Sequence, residues 1–274
     1  MFEINIIESG YIFADGGAMF GAIPKRAWQR KYPCDEENRC RLAMRCVLAV
    51  SPDHKILIDL GMGNKHNKEV AYYEPHGLKD IEQELRSLGY TSSDITDVIL
   101  THLHFDHCGY ATHIDEKGKA VPSFPNARYW LSRRQWAGFL QPNLLEEDSI
   151  FADNILPVYD AGLIRMVDED TDVCDGFHLK LYNGHTEGQL VPFIKTHDGT
   201  VVFPGDVIPT ACHVSLEWIS AFDLCALTSL SEKRRLLEEV VGNGYALIYC
   251  HDSIMPQSRV KRLNDNFKAE NIIQ

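Results

Sequence analysis

Residues 101–109 read THLHFDHCG, which places three histidines and an aspartate within six positions directly after the apolar run VIL. A core strand gains nothing from such side chains, because every buried imidazole or carboxylate needs a partner. The strand must therefore end here, at an edge of the core where other segments can bring matching groups. In an extended chain, residues two apart point to the same side. His102 and His104 can thus reach one cation together, and Asp106 continues their line while the chain stays extended. His107 faces the other way unless the backbone turns, and Gly109 makes a tight turn easier. This divides the ligands: His102 and His104 suit one ion, Asp106 and His107 a second one nearby.

Other apolar runs end in the same kind of residue. LYNGHTEGQ offers His185, VVFPGDVI offers Asp206 and LIYCHD offers His251. If these runs are strands, all three side chains arrive at one sheet edge, giving five histidines and two aspartates, enough for two ions bridged by one carboxylate.

The rest of the chain reads as strands and helices around that edge. FEINIIES and YIFADGG are expected as two strands joined by a turn at Ser9-Gly10, and RCVLAVS with KILIDLG as a hairpin. LKDIEQELRSLGY spaces Leu78, Ile81, Leu85 and Leu88 for one helix face, with Gly89 as its stop. TDVILTH and ARYWLS read as strands, RRQWAGFL and the region 150–159 as helices, HLKLYNGHT as a strand, and QLVPFIKTHDGTVVFPGD as a hairpin. SLSEKRRLLEEVVGNG carries the capping-box pattern Ser229 with Glu232 and a stop at Gly242. YALIYCHD is expected as the last strand, followed by a C-terminal helix. The long stretch from Gly16 to Asn38 reads as a loop of the length that lids have. No low-complexity linker or repeat divides the sequence, which reads as one domain over 1–274 with two strand-and-helix halves.

Composition narrows the partners. A net charge of −12 and a pI near 5.4 disfavour nucleic acid and anionic membrane, both of which reward a basic face. Eight scattered cysteines form no CxxC pair and no dense framework, as in a reduced cytoplasmic protein. Cys108 reads as a small packed hydrophobe. The first residues lack a signal-peptide pattern, and no run approaches the ~18 apolar residues of a membrane span. The expected partner is a small-molecule substrate, with a homodimer left open. No GxSxG, Walker or dinucleotide glycine pattern appears.

On the positions His102, His104, Asp106, His107, His185, Asp206 and His251, the sequence resembles the metallo-β-lactamase superfamily, from about Phe2 to Asp252. The resemblance implies an α/β fold, an αββα sandwich of two mixed β-sheets flanked by helices. It implies those seven residues as ligands of two divalent ions, zinc foremost, with iron, manganese or cobalt also compatible with His and carboxylate donors. Asp206 takes the place of the bridging ligand, and Asp59 in LIDLGMG that of an aspartate supporting the metal loops from behind. Asp206 disfavours a true β-lactamase, and His104 stands where flavin-linked diiron oxygen reductases have an acid. DGGAMFG, GDVIPT and WISAFDL are most similar to the quorum-quenching N-acyl homoserine lactonase and methyl parathion hydrolase branch. Known lactonases of that kind place a tyrosine three residues after the bridging aspartate. Pro209 stands there in this chain, leaving Thr210 or His213 as substitutes.

The chemistry so implied is hydrolysis of a lactone or related ester by a water whose pKa falls toward ~7 between two cations. Asp106 and Asp206 are its catalytic carboxylates. The expected pocket walls are Met19, Phe20, Trp28, Phe105, Thr210, His213, Trp218 and Phe222, with Phe20 and Trp28 lying over the centre on the Gly16–Asn38 stretch. Alternatives are a phosphotriesterase, a thioesterase of the glyoxalase II kind and, in another class, a mononuclear iron persulfide dioxygenase.

Overall fold

A computed structural model describes residues 1–271 and contains two large sheets. The first begins with β1 (Glu3–Asp15), β2 (Arg39–Val50), β3 (Lys55–Ile58) and β4 (Asp97–Ile99). A side hairpin of β5 (Thr112–Ile114) and β6 (Ala120–Pro122) interrupts it before β7 (Arg128–Ser132) and β8 (Ile164–Val167) complete the order 1-2-3-4-7-8. The second sheet holds β9 (Thr171–Cys174), β10 (Phe177–Tyr182), β11 (Gln189–Thr196), β12 (Gly199–Val202), β13 (Ala246–Ile248), β14 (Gln257–Leu263) and β15 (Asn266–Glu270) in sequential order. Pairs β3–β4, β4–β7, β7–β8 and β12–β13 are parallel and the other neighbours antiparallel, so both sheets are mixed.

Alternation along the strands builds the layers. Val47, Ala49, Ile56, Ile58, Ile99 and Trp130 of the first sheet meet Phe177, Leu179, Leu190, Ile194 and Ile248 of the second in one buried cluster. The intervening Cys46, Leu48, Leu57, Val98, Tyr129 and Leu131 point outward and pack with Ile81 and Leu85. Those two belong to a helix over Ile81–Ser87. On the far side Val191, Phe193, Val202 and Leu247 pack with Leu236, Leu237 and Val240 of the Ala226–Asn243 helix. Strands buried on both faces read as continuous apolar runs. The result is the expected helix–sheet–sheet–helix order.

Several elements differ from the sequence reading. The first two expected strands are one strand, β1, whose register against β2 shifts between Glu8 and Gly10, so the Ser9-Gly10 turn is a bulge. The Gly16–Asn38 stretch contains two short helices, Gly16–Phe20 and Lys25–Trp28. Gly16 is needed there, because a Cβ would lie 2.3 Å from the Trp28 ring. The capping box does not form: the long helix starts at Ala226, and the Glu232 carboxylate instead accepts the amides of Asn183 and Gly184. Gly242 lies inside that helix, which stops at Gly244 in the left-handed conformation. YALIYCHD is not the last strand. The expected C-terminal helix is the β14–β15 hairpin, whose alternating burial packs Phe267 on the second sheet. No helix among the described residues is long and apolar enough to cross a membrane.

Candidate metal centre

The C-terminal ends of β3, β4, β10, β12 and β13 deliver Asp59, the 101–107 segment, His185, Asp206 and His251 to one edge of the sandwich. After His104 the chain turns at once into a one-turn helix, Phe105–Cys108, two residues before the turn at His107 that the extended reading places there. That turn brings Asp106 and His107 to His251, while the His107 ring stays beside His102 at 4.1 Å between centroids. Gly109 follows with ordinary helical backbone (φ −58°), so a tight turn is not what requires it. It is needed for closeness: a Cβ would lie 2.1 Å from the Met62 carbonyl.

Seven side chains converge. His104 Nδ1 lies 3.0 Å from His102 Nε2 and 3.2 Å from His185 Nε2. In the adjoining group, His107 Nε2 lies 3.1 Å from His251 Nε2, and Asp106 Oδ2 lies 3.7 and 3.6 Å from these two nitrogens. Asp206 faces both groups. Its Oδ2 is 3.5 Å from His185 Nε2, while its Oδ1 is 3.1 Å from His251 Nε2 and 3.3 Å from His107 Nε2. A tetrahedral cation with bonds of 2.0–2.1 Å separates its ligand atoms by about 3.3 Å. The observed spacings scatter around that value, and each group of three could hold an ion.

The proton inventory makes the same point. Each imidazole donates from its far nitrogen to an oxygen. His107 Nδ1 donates to Asp59 (2.8 Å), His185 Nδ1 to Asp223 (3.0 Å), His251 Nδ1 to the Ala43 carbonyl (2.7 Å) and His104 Nε2 to Glu146 (3.3 Å). His102 Nδ1 donates to the Thr101 hydroxyl (3.0 Å), whose own proton goes to Asp59. Carboxylates and carbonyls only accept, so these tautomers follow from the partners. In the neutral rings every inward nitrogen then carries a lone pair, and nitrogens 3.0–3.2 Å apart need a cation or a proton between them. Electrostatics agrees. Burial favours neutral His107, but the carboxylates of Asp106, Asp206 and Asp59 outweigh it and raise its pKa well above the ordinary value. Burial and the neighbouring rings lower His102. Burial opposes charge on Asp206, yet His251, His107 and His185 hold its carboxyl well below the usual range.

Asp59 sits behind the histidine cluster, bonded to His107 and Thr101. Three other partners were missed: Thr101, Glu146 and Asp223. Thr101 stood inside the opening motif, and Asp223 inside WISAFDL, whereas nothing in the sequence singles out Glu146. Cys250 was missed as well: its buried thiol donates to Asp206 Oδ1 at 3.1 Å.

A cavity opens over the centre. Met19, Phe105 and Phe222 line it, together with Ile12, Leu42, Tyr73, Leu145 and Ser149. Phe20, Trp28, Thr210, His213 and Trp218 do not. Phe20 stacks on Trp28 at 4.9 Å and on His213 at 5.2 Å, with Trp218 edge-on, all inside a buried cluster. His213 accepts from Thr210 (2.7 Å) and donates to the Met19 carbonyl (2.9 Å), and burial pushes its pKa down to about 4. These side chains are satisfied within the core, so the Gly16–Asn38 stretch supports the cavity floor through Met19 and leaves its aromatic rings underneath.

Comparison with known proteins bears on this site. The metallo-beta-lactamase superfamily model matches residues 45–251. An N-acyl homoserine lactonase of Bacillus cereus is 27% identical over 229 residues, covering 78% of this chain and 83% of its own. A solved probable metal-dependent hydrolase from Staphylococcus aureus aligns with TM-score 0.87 and 26% identity, over 100% of this chain and 98% of its own. A dizinc quorum-quenching lactonase, solved with a product N-hexanoyl-L-homoserine, shares the fold at TM-score 0.81 and 18% identity, over 100% and 95% of the two chains.

Proposed function

This chain belongs to the metallo-beta-lactamase superfamily, and we propose that within it the protein is a dinuclear metal-dependent hydrolase that opens a lactone or a related neutral ester. The observation that carries the reading is the division of Asp206, with one carboxylate oxygen beside each histidine group. His102, His104 and His185 would hold one cation, Asp106, His107 and His251 the other, and Asp206 both. Cations so held would supply a water acidified toward neutrality and a Lewis acid for the carbonyl oxygen. Zinc suits these donors, as do iron, manganese and cobalt.

The chain's own groups supply the rest. Asp106 has one oxygen against His107 and His251, and its carboxylate can take the proton of the attacking water and return it to the leaving alkoxide. Pro209 offers no phenol, but Tyr73 lines the cavity. Burial and the Asp106 carboxylate raise its pKa, so the hydroxyl stays protonated and able to donate to a substrate oxygen. Ile12, Ala14, Leu42 and Phe105 make walls suited to an acyl or aryl group and poorly suited to a free phosphate.

Metal analysis alongside a panel of acyl lactones, aryl esters, phosphotriesters and glutathione thioesters tests the reading. Two ions per chain with preferential lactone hydrolysis is the expected result. Preference for phosphotriesters or thioesters would move the chain to a sister activity, and one iron per chain with oxygen uptake would overturn the dinuclear hydrolase.

A further inference from the structure

Residues 141–149 combine two properties that seldom adjoin. Leu144 and Leu145 are 85% and 81% exposed, and Leu145 forms part of the cavity wall. The next residue, Glu146, is only 7% exposed and points into the centre. Its Oε1 accepts from His104 Nε2 at 3.3 Å and from the Thr186 hydroxyl, and its Oε2 accepts from Asn143 Nδ2. Asn143 in turn closes the turn, with Oδ1 accepting from the Leu145 amide (2.8 Å) and its carbonyl from the Glu146 amide (3.1 Å). Apart from a single 3-10 turn, Glu147–Ser149, the segment has no regular structure. The Glu146 carboxylate is thus the nail that fixes both the His104 ring and the leucine-bearing turn.

Building on the hydrolase reading above, we propose that residues 141–149 are the specificity element for the apolar chain of the substrate, and that Glu146 is a positioning residue coupling this element to the metal ligand His104. The occupant follows from continuity. Leu145 belongs to the cavity that holds His104, Asp106 and Asp206, and Phe222, 40% exposed, flanks the same opening. A chain extending outward from a carbonyl at the centre meets these two apolar side chains before reaching water. An exposed leucine contributes when a ligand covers it.

The test uses the metal-loaded protein, with acyl lactones and p-nitrophenyl esters of short and long chains, and retention of metal against a chelator as a second readout. Leu145→Ser should raise KM for long-chain substrates about tenfold relative to short ones, with kcat and metal retention unchanged. Glu146→Gln keeps size but removes the carboxylate, and should both flatten the chain-length preference and weaken metal retention by roughly 10–100-fold. Glu146→Asp should recover part of both. Circular dichroism checks that each variant is folded. If Glu146→Gln keeps wild-type retention, or loses retention with the chain-length preference intact, the coupling is refuted. If Leu145→Ser alters the oligomeric state instead of KM, the leucines serve a second copy of the chain and the specificity role is refuted. Chelator retention does not depend on which ester is cleaved, and the p-nitrophenyl series reads chain length even if lactones prove inert. The coupling can therefore fail or stand apart from the lactone reading.

Discussion

Asp59 shows how much one side chain organises here. It accepts the Thr101 amide and hydroxyl, each at 2.9 Å, and His107 Nδ1 at 2.8 Å, while its own backbone sits at φ +51°. Left-handed backbone costs a non-glycine residue roughly 1–2 kcal/mol, so the interactions it enables must exceed that. Asp59→Asn presents an amide where three donors already point, and metal affinity or kcat/KM should fall roughly 10–100-fold, as chelator competition and kinetics would measure. No change in either would remove Asp59 from the centre. At this scale the sequence was legible wherever chemistry stands out from its surroundings: His185, Asp206 and His251 each follow an apolar run. It was illegible for partners reached only through the fold. Glu146 and Asp223 lie 42 and 38 residues from the histidines they orient. It also misled where a residue type serves equally as wall or core, as with Phe20, Trp28 and His213.

The elements that frame the cavity are held by an unusual group. Lys233 on the Ala226–Asn243 helix is 1% exposed, and its Nζ donates to the carbonyls of Ser215 (3.0 Å) and Trp218 (2.7 Å). It thereby anchors the segment leading to Phe222 and Asp223. Two acceptors match the two N–H groups of a neutral amine, and burial lowers its pKa from 10.5 to about 7, against the pull of Asp223 and Glu217. Below pH 7 both folded and unfolded states bind the proton, and the fold carries the cost of the buried cation. Between about 7 and 10.5 only the unfolded state binds it, so stability rises with pH. Relative to Lys233→Met, the wild type should gain about 1 kcal/mol per pH unit across that window, read by denaturant unfolding; a flat difference would show that the amine is charged throughout. Element type was readable where periodicity was strong, as in β2, β3, β11 and the Ile81–Ser87 helix. The β14–β15 hairpin was not, because QSRVKRL and NFKAE are polar strands with few inward residues, and helix formers such as Lys and Arg obscure their alternation.

On the scale of the whole molecule, the centre is where the two sheets are fastened. His251, from the second sheet, exchanges backbone and side-chain hydrogen bonds with Ala43 of the first, and the Leu190 amide reaches the Thr101 carbonyl. Cations binding there stabilise the folded state alone. At a free concentration 1,000 times the dissociation constant this contributes about 4 kcal/mol, which in a chain of this size corresponds to roughly 10 °C in Tm. Chelation should therefore lower the melting midpoint by about that amount and added zinc restore it; an unmoved midpoint would mean the cations contribute little to the joint. The lining of the cavity has a different kind of consequence. Ile12 and Ala14 can be exchanged without touching a ligand's partner, whereas the walls bearing Leu145 and Phe222 adjoin Glu146 and Asp223, which orient His104 and His185. In a lineage drifting toward new substrates, changes should accumulate freely along the first set, while those along the second arrive with compensating changes at the centre, so that the history of this enzyme's selectivity is written unevenly around its mouth.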